Sequence, residues 1–512
     1  MNIFYSRVIL MIRGDMNLTA WLHRIFSDRI LWCILLFGLG LRLYKIDTPI
    51  FDGDSFRQGA TASIARNYYE NGFHLLDPRI TGWGTINEPG LWPNEFPLYP
   101  FVVACLYVPF GVHEWIGRLL TALFCLAGAA GLYALVKRLE NTRTARFAAL
   151  WYLIAPQAVY HGRCFHRHPI AIALMIVALA AFAKWLEGKS TGAYIGMLLC
   201  AAMALLMMPP LVFYLIPAWL IHRLLAEKTG WKNGWIWLAG FLMFLPSLLW
   251  YSWAYQQYAS YSLSSHGRAD FRNWTSAHYY WLWWENSLFY QIWKTNWDYT
   301  LGPVGATFAA AGLFLTRSRA GGLPLFWALA ILGYYVLDVY PVAVVPHYVY
   351  YLILLPALCW SAARFTALLW EHLTETTILA RVQLRQAFIG IVILATFFQW
   401  HTVIRPWYRL KTDWLKAAQA IKDYTPPGAR VIVDNFDPSV IYQSRRMGLA
   451  VNPPDLTLEL IQQMEKEGAT HLAITQPEEF FKKERLRFYL KDTARNVLIH
   501  DHIRLYELGK KQ

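Results

Sequence analysis

Two carboxylates stand two residues apart in the segment Ile50-Phe51-Asp52-Gly53-Asp54-Ser55. A pair so spaced can orient a hydroxyl, accept its proton or hold a divalent cation. A helix-like stretch begins at Ser55, so a plain N-cap is the competing reading for Asp54. Glu88 and Glu95, in the same loop of about residues 47–115, supply either a further carboxylate or a solvated one. Cations are the second ingredient. Arg42 and Arg118 flank the segment, each placed to bind a lipid phosphate or simply to snorkel. The run His161-Gly162-Arg163-Cys164-Phe165-His166-Arg167-His168-Pro169 packs three histidines and a cysteine into eight residues. Those are transition-metal donors, but their spacing matches no zinc pattern, and a phosphate-contacting turn is the other reading. Pro346-His347-Tyr348-Val349-Tyr350-Tyr351 adds His347 and Tyr350, either to such a site or to an interfacial aromatic belt.

The elements that must position these groups are membrane helices. Of 512 residues, 56% are hydrophobic and 16% charged, a departure from soluble proteins toward membrane proteins on both counts. Apolar runs that can cross a bilayer fall at about 30–46, 116–138, 146–162, 168–186, 192–208, 210–226, 234–253, 301–316, 323–340, 348–365 and 387–404. Phe96–Phe110 is short and broken by Pro97, Pro100 and Pro109, so it is read as interfacial. Eleven crossings with the N-terminus inside place 18 Lys+Arg against 7 Asp+Glu in the inner segments. That excess is the cytoplasmic signature of a membrane protein, so the net charge of +14 implies no nucleic acid. Arg7, Arg13, Arg24 and Arg29 precede the first run and no small-residue cleavage site follows it, the pattern of an uncleaved signal anchor. Met16 is an alternative start. The six cysteines form no disulfide framework.

The expected organisation is an inner segment 1–29, a membrane region 30–404 with external loops 47–115 and 254–300, and an external tail 405–512. In the first loop, Phe56, Ala60, Ile64 and Tyr68 recur at four-residue steps from Ser55 to Tyr69, predicting a surface helix that stops at Asn71-Gly72. The second loop is crowded with aromatics, as in Tyr279-Tyr280-Trp281-Leu282-Trp283-Trp284, which suit the headgroup level or sugar faces. The tail reads as a small soluble α/β domain. Val431–Val433 and His471–Ile474 are its predicted strands, with helices over 412–424, 455–467 and 478–490 and no Gly-rich phosphate loop.

The arrangement resembles the C-fold (GT-C) glycosyltransferases, and among them bacterial relatives of dolichyl-phosphate-mannose–protein mannosyltransferases and lipid A aminoarabinose transferases. The matching residues are Arg42, Asp52-Gly53-Asp54, Asn94-Glu95-Phe96-Pro97-Leu98-Tyr99, Gly111…Glu114…Gly117-Arg118-Leu119, Pro346-His347…Tyr350-Tyr351 and the α/β tail. This chain has His168-Pro169 where the family often has Asp-Pro or Glu-Pro, and Glu95-Phe96 where the aminoarabinose transferases carry a basic residue before the first interfacial proline. The resemblance implies an α-helical polytopic protein of the inner (plasma) membrane that moves a sugar from a polyprenyl-phosphate donor to a glycolipid, polysaccharide or protein on the external face. Asp54 matches the family's catalytic acid residue, with Asp52 and Glu95 as further candidates. Arg118, Arg163, His168, His347, Tyr350 and Arg42 are the candidates for donor phosphate. A sugar phosphate carries its own leaving group, so no cofactor is required, a divalent metal being the alternative. The competing classes are a lipid-linked oligosaccharide polymerase or ligase and a transporter; transporters place ionisable groups near the midplane, whereas here they gather at the external ends.

Overall fold

The computed structural model describes residues 28–225, 234–260, 286–315, 320–338, 348–372, 378–500 and 503–509. Arg7, Arg13, Arg24, the Tyr279–Trp284 run and His347 lie outside the described residues. The helices up to the tail are α1 (Arg29–Leu43), α2 (Ser55–Asn71), α3 (Leu98–Phe110), α4 (Glu114–Leu139), α5 (Thr142–Ile154), α6 (Pro156–His161), α7 (His168–Gly188), α8 (Thr191–Met207), α9 (Leu215–Leu225), α10 (Gly234–Ser260), α11 (Asn286–Thr295), α12 (Gly302–Leu313), α13 (Leu323–Leu337), α14 (Leu355–His372) and α15 (Ile378–Gln399). Stretches within α4, α7 and α10, and one starting at Val382 in α15, are long and apolar enough to cross a membrane.

The chain divides into two compact units. One comprises Met1–Tyr44, Thr121–Arg163 and Arg167–Arg405. Within it the run expected to cross as one piece at 146–162 is broken into α5 and α6. Pro156 has no N–H to continue the ladder and forces Ala155 out of the helical region, to φ −53° and ψ 127°. The break leaves carbonyl oxygens of the last α5 turn without helical partners. Arg42, fully buried, supplies the donors: its guanidinium reaches Leu153 O at 3.2 Å, Ala158 O at 2.8 Å and, on its own helix, Gly38 O at 2.9 Å. A cation at a helix C-terminus also opposes the helix dipole.

The ends of these helices are tied by ion pairs. Asp28 caps α1 and pairs with Arg146 at 2.9 Å, Arg138 meets Glu187, Arg143 meets Glu371 at 2.6 Å, and buried Glu140 meets Arg364 at 2.6 Å. Residues 28, 138–146, 187 and 364–371 therefore gather at one end of the unit.

The second unit comprises Lys45–Leu120, Cys164–His166 and Pro406–Gln512. The sequence reading puts loop 47–115 with the membrane region; by contacts it packs with the tail. The tail adds α16 (Thr412–Tyr424), α17 (Ser439–Ser444), α18 (Leu458–Lys466), α19 (Pro477–Phe481) and α20 (Glu484–Thr493), the last two splitting the single helix expected at 478–490. The loop carries a two-stranded ladder, β1 (Arg79–Ile80) with β2 (Gly90–Leu91). The tail sheet has β3 (Arg430–Val433), β4 (Met447–Ala450), β5 (His471–Ile474), β6 (Arg495–His500) and β7 (Ile503–Glu507) in the order β4-β3-β5-β7-β6. β3 runs parallel to both neighbours, and β7 antiparallel to β5 and β6. Alternate residues of β3 serve different cores, as the two-residue repeat of a strand requires. Ile432 packs with Leu472, Ile461 and loop residue Ile86; Val431 and Val433 pack with Ala417, Ile421 and loop residue Phe51. Each of those two tail cores thus takes a side chain from the loop.

Gly162 lets the Arg42 clamp close. A Cβ there would stand 2.2 Å from Ala158 O and 2.7 Å from Arg42 Nε. Gly162→Ala should therefore destabilise the protein by about 1–3 kcal/mol, the usual cost of overpacking. Thermal unfolding in detergent should show a clearly lower midpoint; an unchanged midpoint would show that the clamp can relax.

Candidate active site

Within the second unit, the turn Asp52-Gly53-Asp54 leads into α2. Asp52 is almost fully buried and fully engaged. Its Oδ1 accepts from Gln58 Nε2 at 2.5 Å, and its Oδ2 lies 3.7 Å from Arg118 Nη2. Gln58, one turn into α2 and also buried, accepts at Oε1 from Arg118 Nε at 3.2 Å and from the Phe165 N–H at 3.1 Å. Arg118 Nη1 donates to Ile46 O at 3.1 Å and to Thr48 O. One amide side chain thus joins carboxylate, guanidinium and a backbone N–H, and no charge in the group is left without an opposite neighbour.

Asp54 differs in kind. It occupies the N-cap position of α2, yet its side chain makes no capping hydrogen bond, which removes the plain-cap reading. The residue is half-buried, with one carboxylate oxygen, Oδ2, sealed from solvent. Burial pushes its acid up from 3.8 to about 7; Asp52 and Asp437 push the same way, and Arg57 and Lys411 oppose them. The covered oxygen accounts for the direction. A carboxyl that ionises near neutrality and keeps partial exposure suits proton acceptance from a bound hydroxyl.

The tail brings two charged groups to the same helix start. Ser55 Oγ donates to Asp437 Oδ2 at 2.7 Å, and Lys411 Nζ donates to Ser55 Oγ at 2.8 Å, with Lys411 and Asp437 3.8 Å apart. Asp437 is held in turn by the Ser439 N–H at 2.9 Å. Close approach is allowed by Gly59, where a Cβ would meet the backbone of Ser439 at 2.9 Å. Further along α2, Arg66 donates to Tyr442 O at 2.6 Å and lies 3.6 Å over its ring. Sequence reasoning missed Gln58, Lys411 and Asp437. The four-residue repeat of α2 hides Gln58 among its polar positions, and Lys411 and Asp437 are more than 350 residues from their partner.

Glu95 stands half-exposed in the turn before α3, in this same unit. The remaining candidates belong to the other unit. Arg163 is fully buried with its guanidinium 5.7 Å over the Tyr160 ring. His168 opens α7 with Pro169 behind it, and its ring meets that of Tyr350 edge-on at 5.1 Å. Arg167, next to it, donates to Met207 O at 3.2 Å. Among the described residues no three His, Cys, Asp or Glu side chains converge as metal ligands would.

The architecture is that of the C-fold (GT-C) membrane glycosyltransferases. The profile of the family described as dolichyl-phosphate-mannose-protein mannosyltransferase matches residues 92–253. The chain is similar to ArnT from Cupriavidus metallidurans bound to undecaprenyl phosphate, at 14% identity and TM-score 0.64, over 94% of this chain and 98% of that one. It is similar to the Archaeoglobus fulgidus oligosaccharyltransferase in the apo form at 12% identity and TM-score 0.59, over 92% and 73%. It is also similar to arabinofuranosyltransferase AftD from Mycobacteria at 12% identity and TM-score 0.54, over 95% of this chain and 42% of that one. A comparison with curated protein sequences gave no match.

The upward shift at Asp54 carries a stability consequence. Between about pH 4 and about pH 7 the folded protein holds a proton that the unfolded chain has released, so stability falls as pH rises through that window. Asp54→Asn removes the penalty while keeping the shape. The variant should melt above wild type at pH 8, with the gap narrowing toward pH 4. A variant melting below wild type at pH 8 would show that the ionised carboxylate stabilises the fold.

Proposed function

We propose that the chain is an integral-membrane glycosyltransferase that moves a sugar from a polyprenyl-phosphate donor to a hydroxyl acceptor on the external face. The observation that carries this reading is the unequal carboxylate pair. Asp52 is locked to Arg118 and Gln58, while Asp54 stays partly open with its acid near 7, on a fold shared with a protein solved bound to undecaprenyl phosphate. In the reaction, the acceptor oxygen attacks the anomeric carbon as Asp54 takes its proton. The bond from that carbon to phosphate oxygen breaks, and the polyprenyl phosphate leaves with the electron pair, inverting the centre. The leaving group needs no general acid, so charge compensation at phosphate is the other requirement. We assign it to Arg163, His168, His347 and Tyr350. Arg42 and Arg118 have protein acceptors around their guanidinium groups, so their role in this scheme is positioning. No cofactor is assigned, and Glu95 is held in reserve as an alternative base.

The topology we propose has eleven crossings, the region 30–404 in the membrane and 405–512 outside. The ion pairs support it. Asp28–Arg146, Arg138–Glu187 and Glu140–Arg364 require residues 28, 138–146, 187 and 364 to share one side, so an even number of crossings separates Asp28 from Arg138. With α1 and α4 counted as two crossings, this agrees with the reading of Phe96–Phe110 as interfacial. A reporter active only in the cytoplasm, fused after Gln512, should stay silent; activity would reverse the sidedness of the tail.

Transfer from a radiolabelled polyprenyl-phosphate sugar by purified variants tests the chemistry. Asp54→Asn should lose ~10²–10⁴-fold in turnover, the usual contribution of a positioned base, and keep donor binding. Wild-type kcat/KM should rise about tenfold per pH unit below the pKa of Asp54 and level off above it, since the base must be ionised. Near-normal transfer by the variant would move the base to Glu95.

A further inference from the structure

Three aromatic side chains meet beside Asp54 and have no part in the scheme above. Phe56, two residues along α2, is 37% exposed. Its ring lies 5.2 Å from that of Trp83 and 5.9 Å from that of Phe436, both half-buried. Trp83 and Phe436 stack at 5.1 Å and 15°, and the Trp83 indole N–H donates to Phe436 O at 3.1 Å. Trp92 backs the group at 4.7 Å from Trp83. The cluster joins distant parts of the chain. Phe436 follows β3 and adjoins Asp437, whose carboxylate accepts from Ser55; Asp54 adjoins Ser55 from the other side. Asp54 and Phe436 are thus each one residue from the same 2.7 Å hydrogen bond.

Resting on the transferase reading, we propose that Phe56, Trp83 and Phe436 form the platform on which the acceptor lies, and that the acceptor is a saccharide. The group that sits beside the base must be the part of the acceptor bearing the attacking hydroxyl. A pyranose offers an apolar C–H face to a ring surface and hydroxyls at its edge. Polar groups for that edge stand nearby in half-buried Arg57, next to Phe56 in the chain, and exposed Lys411, which donates to Ser55 Oγ. A serine or threonine offers only a methylene or methyl group, far less than three rings can cover. Exposed apolar surface also has a hydration cost that a stacked ligand removes.

The test uses saturation-transfer NMR on the full chain in lipid nanodiscs. The probes are methyl glycosides of glucose, galactose, mannose and N-acetylglucosamine, with Gly-Ser-Gly and Gly-Thr-Gly as the peptide arm. At least one glycoside should receive saturation at the C–H protons of one ring face. Its apparent affinity should weaken roughly fivefold in Phe436→Leu and in Phe56→Leu, the effect of one lost aromatic contact, and recover in Phe436→Tyr. Binding of undecaprenyl phosphate to the same samples, with their melting temperatures, shows whether each variant is folded. Three outcomes overturn the platform: no glycoside saturation in wild type, saturation equal in wild type and both leucine variants, or loss confined to the peptides. Equal saturation is also what an interfacial aromatic anchor would give. If wild type binds no undecaprenyl phosphate, the transferase reading fails instead, whatever the glycosides do.

Discussion

The interaction on which the proposed site depends is the buried contact of Arg118 with Asp52, bridged by Gln58. A guanidinium and a carboxylate withdrawn from water are tolerated only when both are neutralised and their remaining hydrogen-bonding positions are filled. Gln58 does this filling with one amide, its nitrogen toward Asp52 and its oxygen toward Arg118 and the Phe165 N–H. These contacts tie Asp52 to α2 and to Arg118. Asp54, two residues on, stays only partly covered. Two aspartates of the same chemistry are given different surroundings, Asp52 in a closed network with Gln58 and Arg118 and Asp54 with its acid pushed up to about 7 by burial.

That differentiation is set up from two parts of the chain at once. The loop supplies Asp52, Asp54, Ser55 and Gln58; the tail supplies Lys411 and Asp437. The loop also inserts Phe51 and Ile86 into the two tail cores, and Gly82 bridges to Leu449 at the edge of β4. Burial of this kind is what rigidifies a functional turn, because a side chain packed in a core cannot be withdrawn without opening a cavity. The tail is therefore no appendage to the proposed site. It is the other half of the packing that holds the carboxylates.

Much of the helical order was legible because apolar length and charge asymmetry are local signals. α1, α4, α7, α8, α10 and α13 lie within the apolar runs read from sequence, extended or trimmed by a few residues. The break at Ala155-Pro156 was also written in the chain, but a run of apolar residues on both sides masked it. β3 and β5 were legible as short β-branched or apolar runs buried on both faces, β6 was not. Arg495–His500 is a mostly exposed edge strand with no apolar alternation, and only its pairing to β7 makes it a strand. At the site, Asp52 and Asp54 were legible as a pair, but which of the two is locked was not. That depends on Gln58, Arg118 and Asp437, whose relation to the pair is created only by folding.

His168-Pro169 stands at the first turn of α7, close in sequence to buried Arg163 and Arg167. If donor phosphate binds there as proposed, a carboxylate at this position would add negative charge against it. An imidazole adds none. The N-terminus of α7 already favours an anion, because its first N–H groups point outward along the helix dipole. In the proposed reaction, negative charge grows on the departing phosphate as the bond to sugar breaks. The His168 ring meets that of Tyr350 edge-on at 5.1 Å.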